Sequence, residues 1–139
     1  MKRLGARNFD CAQKRIRGGL FNRDLIVKEA FAMQRYGSVI GVKPEAIAEY
    51  KKHHAAVWPE VLDMIRKCNI RNYSIFLKGD LLFGYWEYHG TDFQADMAKM
   101  AADPKTQEWW KIMEPMQRPL PHRAEGEWWA SMEEVFHID

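Results

Sequence analysis

Two cysteines among 139 residues leave little to staple a fold or ligate an ion. Cys11 and Cys68 are far apart, no CxxC or Cys/His cluster occurs, and a zinc site is not expected. Reduced thiols in a cytoplasmic protein are the simplest reading. Serine appears only three times, which argues against a serine nucleophile with its triad. No glycine-rich phosphate loop, GxSxG, HExxH or Walker pattern is present. No carboxylate cluster is spaced to hold a divalent metal. No apolar run is long enough to span a bilayer, and the start of the chain has no apolar signal-peptide core. A dominant charge is also missing, since the formal net charge is only +2. It hides an asymmetry. Residues 1–28 carry eight basic and two acidic side chains, and the rest carries 13 basic and 17 acidic ones. The body is therefore mildly acidic and gives no reason to expect nucleic acid as a partner.

What remains is apolar and aromatic. Hydrophobic residues make up 47% and charged residues 29%, the balance of one ordinary globular domain with a sizeable core. Six tryptophans are many for this length. Tryptophan suits a surface that must be apolar, rigid and able to donate one hydrogen bond.

Residues 1–27 form a basic arm without periodicity, broken by Gly18-Gly19, and read as a poorly ordered tail or an over-long start. A mitochondrial presequence fits less well because serine is nearly absent and two Asp are present. A nucleic-acid arm fits least. Residues 28–139 read as the folded domain. Residues 27–36 predict a first strand, followed by a loop bracketed by Gly37 and Gly41. Pro44 opens a helix running to about Cys68, with a kink or a restart expected at Trp58-Pro59 because proline lacks a donor and crowds the preceding turn. Residues 71–78 predict a second strand, Lys78-Gly79-Asp80 a hairpin turn, and residues 81–88 a third strand. Gly84 in that strand marks a bulge or a close approach by a ligand. Asp92 is placed to cap a helix over Phe93–Ala102. Asp103-Pro104 breaks it before a shorter helix with Trp109 and Trp110. A polar loop over 115–127 and a last strand near 132–138 complete the chain.

The order β-α-β-β-α-β is that of the ferredoxin-like fold, an α+β architecture with a four-stranded antiparallel sheet and helices on one face. The other face needs a cover. A second copy is the expected one, giving a homodimer of the dimeric α+β barrel type.

Ile47, Tyr50, His54, Val57, Trp58, Val61 and Ile65 recur at steps of three and four, one face of a helix. His54 is the fault in that stripe. Alone it is more often a satisfied core histidine than a catalyst, but Tyr50 one turn earlier makes a polar pair that a core would rarely choose. His53 is rotated by about 100° and reads as a flank residue. Trp109 and Trp110 cannot both face the core for the same reason. One packed and one at a contact is the bland reading; a stacking platform for a sugar is the functional one. Trp128-Trp129, in a strand-like run, would point to opposite faces and invite the same two readings. Together these residues suggest a neutral aromatic pocket with one histidine acid/base and no cofactor, suited to proton transfer on a small uncharged hydroxylated ligand.

The combination is more specific than its parts. Phe-Ala-Met-Gln at 31–34, Glu-Tyr-x-x-x-His-x-x-x-Trp-Pro-Glu at 49–60, Asn-Tyr-Ser-Ile-Phe-Leu at 72–77, Gln-x-Trp-Trp at 107–110 and Met-Glu-Glu-Val-Phe at 132–136 resemble the L-rhamnose mutarotase family. The resemblance covers roughly residues 28–139. It implies a dimeric ferredoxin-like fold and cofactor-independent interconversion of the α and β anomers of the sugar. By motif it implies His54 as the catalytic proton donor and Tyr50, Tyr73, Trp109 and Trp110 as substrate contacts. The family pattern has Asn-Pro after the histidine where this chain has Ala55-Ala56. The segment Tyr36–Gly41 and the proline-rich loop also look longer. L-Fucose or another 6-deoxy-L-hexose therefore stands beside L-rhamnose as the expected substrate. Two other classes compete: a dimeric α+β barrel monooxygenase on an aromatic substrate, and a sugar-binding module without activity.

Overall fold

The computed structural model describes residues 32–139. The basic arm and the first residues of the predicted first strand lie outside the described residues. Strand β1, Gln34–Val42, leads through a 3-10 turn at Pro44–Ala46 into helix α1, Ile47–His54, and helix α2, Pro59–Lys67. Strands β2, Ile70–Lys78, and β3, Leu81–Tyr88, form a hairpin. Helices α3, Phe93–Ala102, and α4, Pro104–Met113, follow, then two short strands, β4 at Gln117–Arg118 and β5 at Ala130–Met132. The sheet runs β2-β3-β1-β4, with β5 also on β1, and every pairing is antiparallel. This is the ferredoxin-like arrangement expected from the order of elements.

The first strand lies later than expected. Gly37 and Gly41 do not bracket a loop but sit inside β1. Tyr36, Ser38, Ile40 and Val42 alternate towards the helices, as a period of two requires, and Ile40 and Val42 are fully buried. The glycines occupy the other face because their neighbours come close. A Cβ on Gly41 would lie 2.7 Å from the Arg118 carbonyl oxygen, and one on Gly37 would lie 3.1 Å from Met132. The segment that looked like a lengthened loop is therefore strand.

Of the two outcomes expected at Trp58-Pro59, the structure takes the restart: the long stretch is two helices. Trp58 takes an extended backbone with ψ 135°, because a residue before proline is excluded from the helical region. Pro59 then opens α2, where its missing donor costs nothing. In β2 the register slips between Arg71 and Ser74, and Asn72 adopts φ 49°. The bulge is there, not at Gly84. Gly79, with φ 60°, turns the hairpin as expected.

The fourth strand is in two pieces. Gln117 and Arg118 pair with Val42 and Gly41, and Ala130–Met132 pair with Val39, Ser38 and Gly37. The two pieces follow one antiparallel track along β1, interrupted by residues 119–129. The expected strand over 132–138 ends at Met132, and Val135, Phe136 and Ile138 are largely exposed. Its Glu134 bonds Arg35 at 2.8 Å, but beyond Met132 no strand pairing is formed among the described residues, so alternation alone does not make it a strand.

Two apolar clusters fill the space between helices and sheet. One joins Ile40, Val42, Tyr50, Val61, Leu82 and Trp109, and the other joins Cys68, Ile70, Trp86, Tyr88, Met97 and Met100. Trp110 packs on both. Asp92 caps α3 through Ala95 N (3.0 Å), and Asp103 caps α4 through Thr106 N (2.8 Å), each satisfying a donor that a helix start leaves open.

Candidate active site

A cavity of about 1460 Å³ is lined by the helices, by the sheet, including Gly37 and Tyr85 of its outer face, and by the C-terminal segment. Tyr50, His54, Tyr73, Trp109 and Trp110, the five residues singled out in the sequence, all line it. They come from α1, β2 and α4, so the fold brings together side chains widely separated in the chain.

The centre is the last turn of α1. The Tyr50 and His54 rings stack with centroids 4.2 Å apart and planes 23° apart. His54 Nδ1 lies 2.9 Å from the Tyr50 carbonyl oxygen. A carbonyl can only accept, so Nδ1 carries the proton and Nε2 keeps its lone pair. Nε2 is on the far side of the ring from the helix backbone. Burial pushes the His54 pKa below its ordinary 6.5; the bond to the Tyr50 carbonyl opposes this, and neighbouring His53 adds to it. At neutral pH the imidazole is uncharged and ready to accept a proton.

Trp109 is 7% exposed and closes one wall. Its ring meets His54 edge-on at 5.5 Å and Trp58 at 5.4 Å, distances typical of favourable aromatic pairs. His53 flanks the site instead, with Nε2 3.2 Å from Glu49 and its ring 6.1 Å from Trp109. Trp110 is partly buried between the two core clusters. Tyr73 is 44% exposed and stands on the edge strand. The protein around its hydroxyl raises its pKa, and nearby Tyr50 adds to the rise. Tyr50 is itself 4% exposed, and burial pushes its pKa up to about 12, against a hydrogen bond from Gln117 that lowers it. Both phenols keep their protons at any ordinary pH.

Three further residues line the cavity: Trp128 and Trp129, for which the sequence offered a stacking platform as one of two readings, and Gln117, which it did not mark. Trp128 and Trp129 do not alternate across a strand. They sit before β5 and pack against the same core cluster. Trp129 rests over Gly84, where a Cβ would lie 3.5 Å from its ring and 3.0 Å from Ser38 Oγ. The close approach expected at Gly84 is thus made by a side chain of the chain itself. Gln117, placed by sequence in a polar loop, is 8% exposed and hydrogen-bonded to the Trp128 indole at 2.8 Å. Only its pairing with Val42 could have located it, and two residues of strand leave no periodic signal. Among the described residues no group of three or more His, Cys, Asp or Glu is placed to hold a metal ion.

The profile of the L-rhamnose mutarotase family matches residues 35–138, most of the chain and all of the cavity. The chain belongs to the L-rhamnose mutarotase family. An L-rhamnose mutarotase from Oceanobacillus iheyensis is 35% identical over 109 residues, covering 77% of this chain and all of that protein. Another from Mannheimia succiniciproducens is 36% identical over the same length, again across the whole relative. The crystal structure of an L-rhamnose mutarotase from Formosa agariphila superposes with a TM-score of 0.60 at 20% identity, covering 76% of this chain and 99% of that one. That likeness supports the ferredoxin-like fold. Membership in the mutarotase family makes the protein an isomerase and disfavours both the monooxygenase reading and that of a binding module without activity. No helix among the described residues is long and apolar enough to cross a membrane.

Proposed function

We propose that this protein interconverts the α and β anomers of L-rhamnose or a closely related 6-deoxy-L-hexose, without a cofactor, through His54. The supporting observation is the tethered imidazole: Nδ1–H is committed to the Tyr50 carbonyl, leaving an uncharged Nε2 on the wall of an aromatic cavity. In ring opening, Nε2 accepts the proton of the anomeric hydroxyl. The electrons of that O–H bond form the carbonyl, and the bond from the anomeric carbon to the ring oxygen breaks. The ring oxygen leaves with a proton from a phenol, Tyr50 or Tyr73. Rotation about the neighbouring C–C bond presents the other face of the carbonyl, and closure reverses every transfer. The protons return because an imidazolium with a lowered pKa gives its proton up readily and a phenolate with a raised pKa recovers its own. Trp109 and Trp110 supply apolar walls for the sugar's C–H face and its methyl group. The domain spans residues 28–139, acts in the cytoplasm, and pairs with a second copy through the sheet face opposite the helices.

Saturation-exchange NMR on L-rhamnose and L-fucose tests the reading. His54→Ala is expected to slow catalysed anomer exchange by about 10²–10⁴-fold, the usual contribution of a positioned acid/base. Unchanged exchange in that variant would remove His54 from the mechanism. Faster exchange of L-fucose than of L-rhamnose would settle which sugar fits.

A further inference from the structure

Ser38 has no part in the proposed mechanism, yet it stands on the helix-facing side of β1 and lines the cavity. Ile40 and Val42, next on the same side, are fully buried. Ser38 is half-buried, and its hydroxyl has no hydrogen-bond partner among the described residues. Polar groups withdrawn from bulk water are usually paired. Its neighbour across the strands is Gly84, so β3 sends no side chain over it. A Cβ at Gly84 would lie 3.0 Å from Ser38 Oγ. Trp129 comes to the same gap, with Cζ3 3.5 Å and Cε3 3.8 Å from that position. The Trp129 ring is half-buried, lines the cavity, and packs against the cluster that holds Tyr50 and Trp109. A core gains nothing from this serine. The centre of a strand favours Val, Ile or Thr, and an unpaired hydroxyl forfeits its hydrogen bond with water.

We propose that Ser38 is a specificity-determining residue: its hydroxyl bonds one ring hydroxyl of the sugar, whose C–H face lies on Trp129. An aromatic ring beside a free hydroxyl matches both parts of a neutral sugar. The ring covers the C–H face, and the hydroxyl, donor and acceptor at once, meets an O–H group at its edge. His54 and the phenols serve the anomeric hydroxyl and the ring oxygen, which leaves the hydroxyls at C2, C3 and C4 for Ser38. The split fourth strand gains a purpose from this. Residues 119–129 leave the sheet after Arg118 and return at Ala130, which brings Trp129 onto the gap at Gly84.

The inference rests on the proposed sugar chemistry, and its test separates the two. Anomer exchange is measured by NMR on L-rhamnose and on its 2-deoxy, 3-deoxy and 4-deoxy analogues. Ser38→Ala is expected to raise KM for L-rhamnose about 10-fold, the effect of roughly one lost hydrogen bond, and to change kcat far less. With the wild-type protein, one of the three analogues is expected to carry a KM penalty of about the same size, because the hydroxyl that Ser38 reads is missing. In Ser38→Ala that penalty is expected to vanish while the other two persist; such non-additivity marks a direct contact. Trp129→Leu is expected to raise KM for all four sugars alike, since stacking reads no hydroxyl. The denaturation midpoint of Ser38→Ala is expected to be no lower than that of the parent, because no hydrogen bond within the protein is lost. A lowered midpoint with equal losses on all four sugars marks a structural serine and overturns the inference. So do three analogue penalties that all survive in Ser38→Ala, or an unchanged KM in Trp129→Leu, and in each case exchange of L-rhamnose by the wild-type protein still stands. If Trp129→Leu does not fold, the Ser38→Ala pattern alone decides. No exchange of any sugar by the wild-type protein overturns the proposed function, and this inference with it.

Discussion

His54 holds its proton on the nitrogen facing its own helix, and this sets the pH range in which it can work. The folded pKa lies below 6.5 because burial disfavours the imidazolium. From neutral pH upward the ring is uncharged and Nε2 is free. On acidification, activity is expected to persist below pH 6.5 and fall only as pH drops through the lowered folded value. A pH profile of the exchange rate checks this; an acid limb centred above 6.5 would contradict it. The same shift has a stability consequence. Between the two pKa values the unfolded chain binds more protons than the folded one, so His54 contributes stability that is complete above 6.5 and lost as pH falls through the folded pKa. At this scale the sequence was informative where side chains repeat on a regular element. The spacing of Tyr50 and His54 placed both on one face and separated His54 from His53. Gln117 was opaque, and so was the seat of Trp129 over Gly84, because their neighbours are set by a loop that leaves and rejoins the sheet.

Short elements depend on their ends. The break between α1 and α2 follows from Pro59, which was visible in the sequence. Whether it would kink the helix or restart it was not, since that depends on Trp58 packing against Trp109 as well as on the backbone. The junction of α3 and α4 rests on Asp103, which accepts from both the backbone and the hydroxyl of Thr106 at 2.8 Å. Asp103→Ala is expected to destabilise the fold by about 1 kcal/mol, the usual cost of a lost N-cap. Chemical denaturation should show a lower midpoint with an unchanged slope. A shift no larger than that of an exposed surface control, such as Lys111→Ala, would mean the cap is replaced by water. The β strands illustrate the limits of local reading. β2 and β3 are joined by a turn with its own signature at Gly79, and both were placed to within about a residue. β1 was misplaced because Gly37 and Gly41 look like loop residues until the partner atoms that crowd them are known.

At the scale of the whole molecule, the sheet has one covered face and one open face. Leu82, Gly84 and Trp86 of β3 turn to the helices, so Phe83 and Tyr85 turn away, and Phe76 pairs with Phe83 on that outer face. Phe76 is 64% exposed. Beyond Met132 the chain carries further exposed apolar side chains at Val135, Phe136 and Ile138. Scattered exposed apolar groups are ordinary, but a sheet face carrying paired phenylalanines, on a chain whose terminal segment is also apolar and exposed, is the kind of surface that marks an interface. A stable pairing of two protomers usually buries about 1,600 Å² in total, roughly 800 Å² from each, which a small sheet face and an extended segment together can supply. Sedimentation at micromolar concentration is expected to give twice the chain mass. Phe83→Glu sets a charge at the centre of the outer face, far from the helix-side core, and is expected to shift the mass towards one chain while leaving the far-ultraviolet spectrum intact. A monomeric wild-type protein, or a Phe83→Glu dimer as tight as the parent, would move the interface away from this face. Because Tyr50, His54 and Trp109 lie on the helix side of the sheet, a folded Phe83→Glu monomer would also reveal whether one chain suffices for anomer exchange.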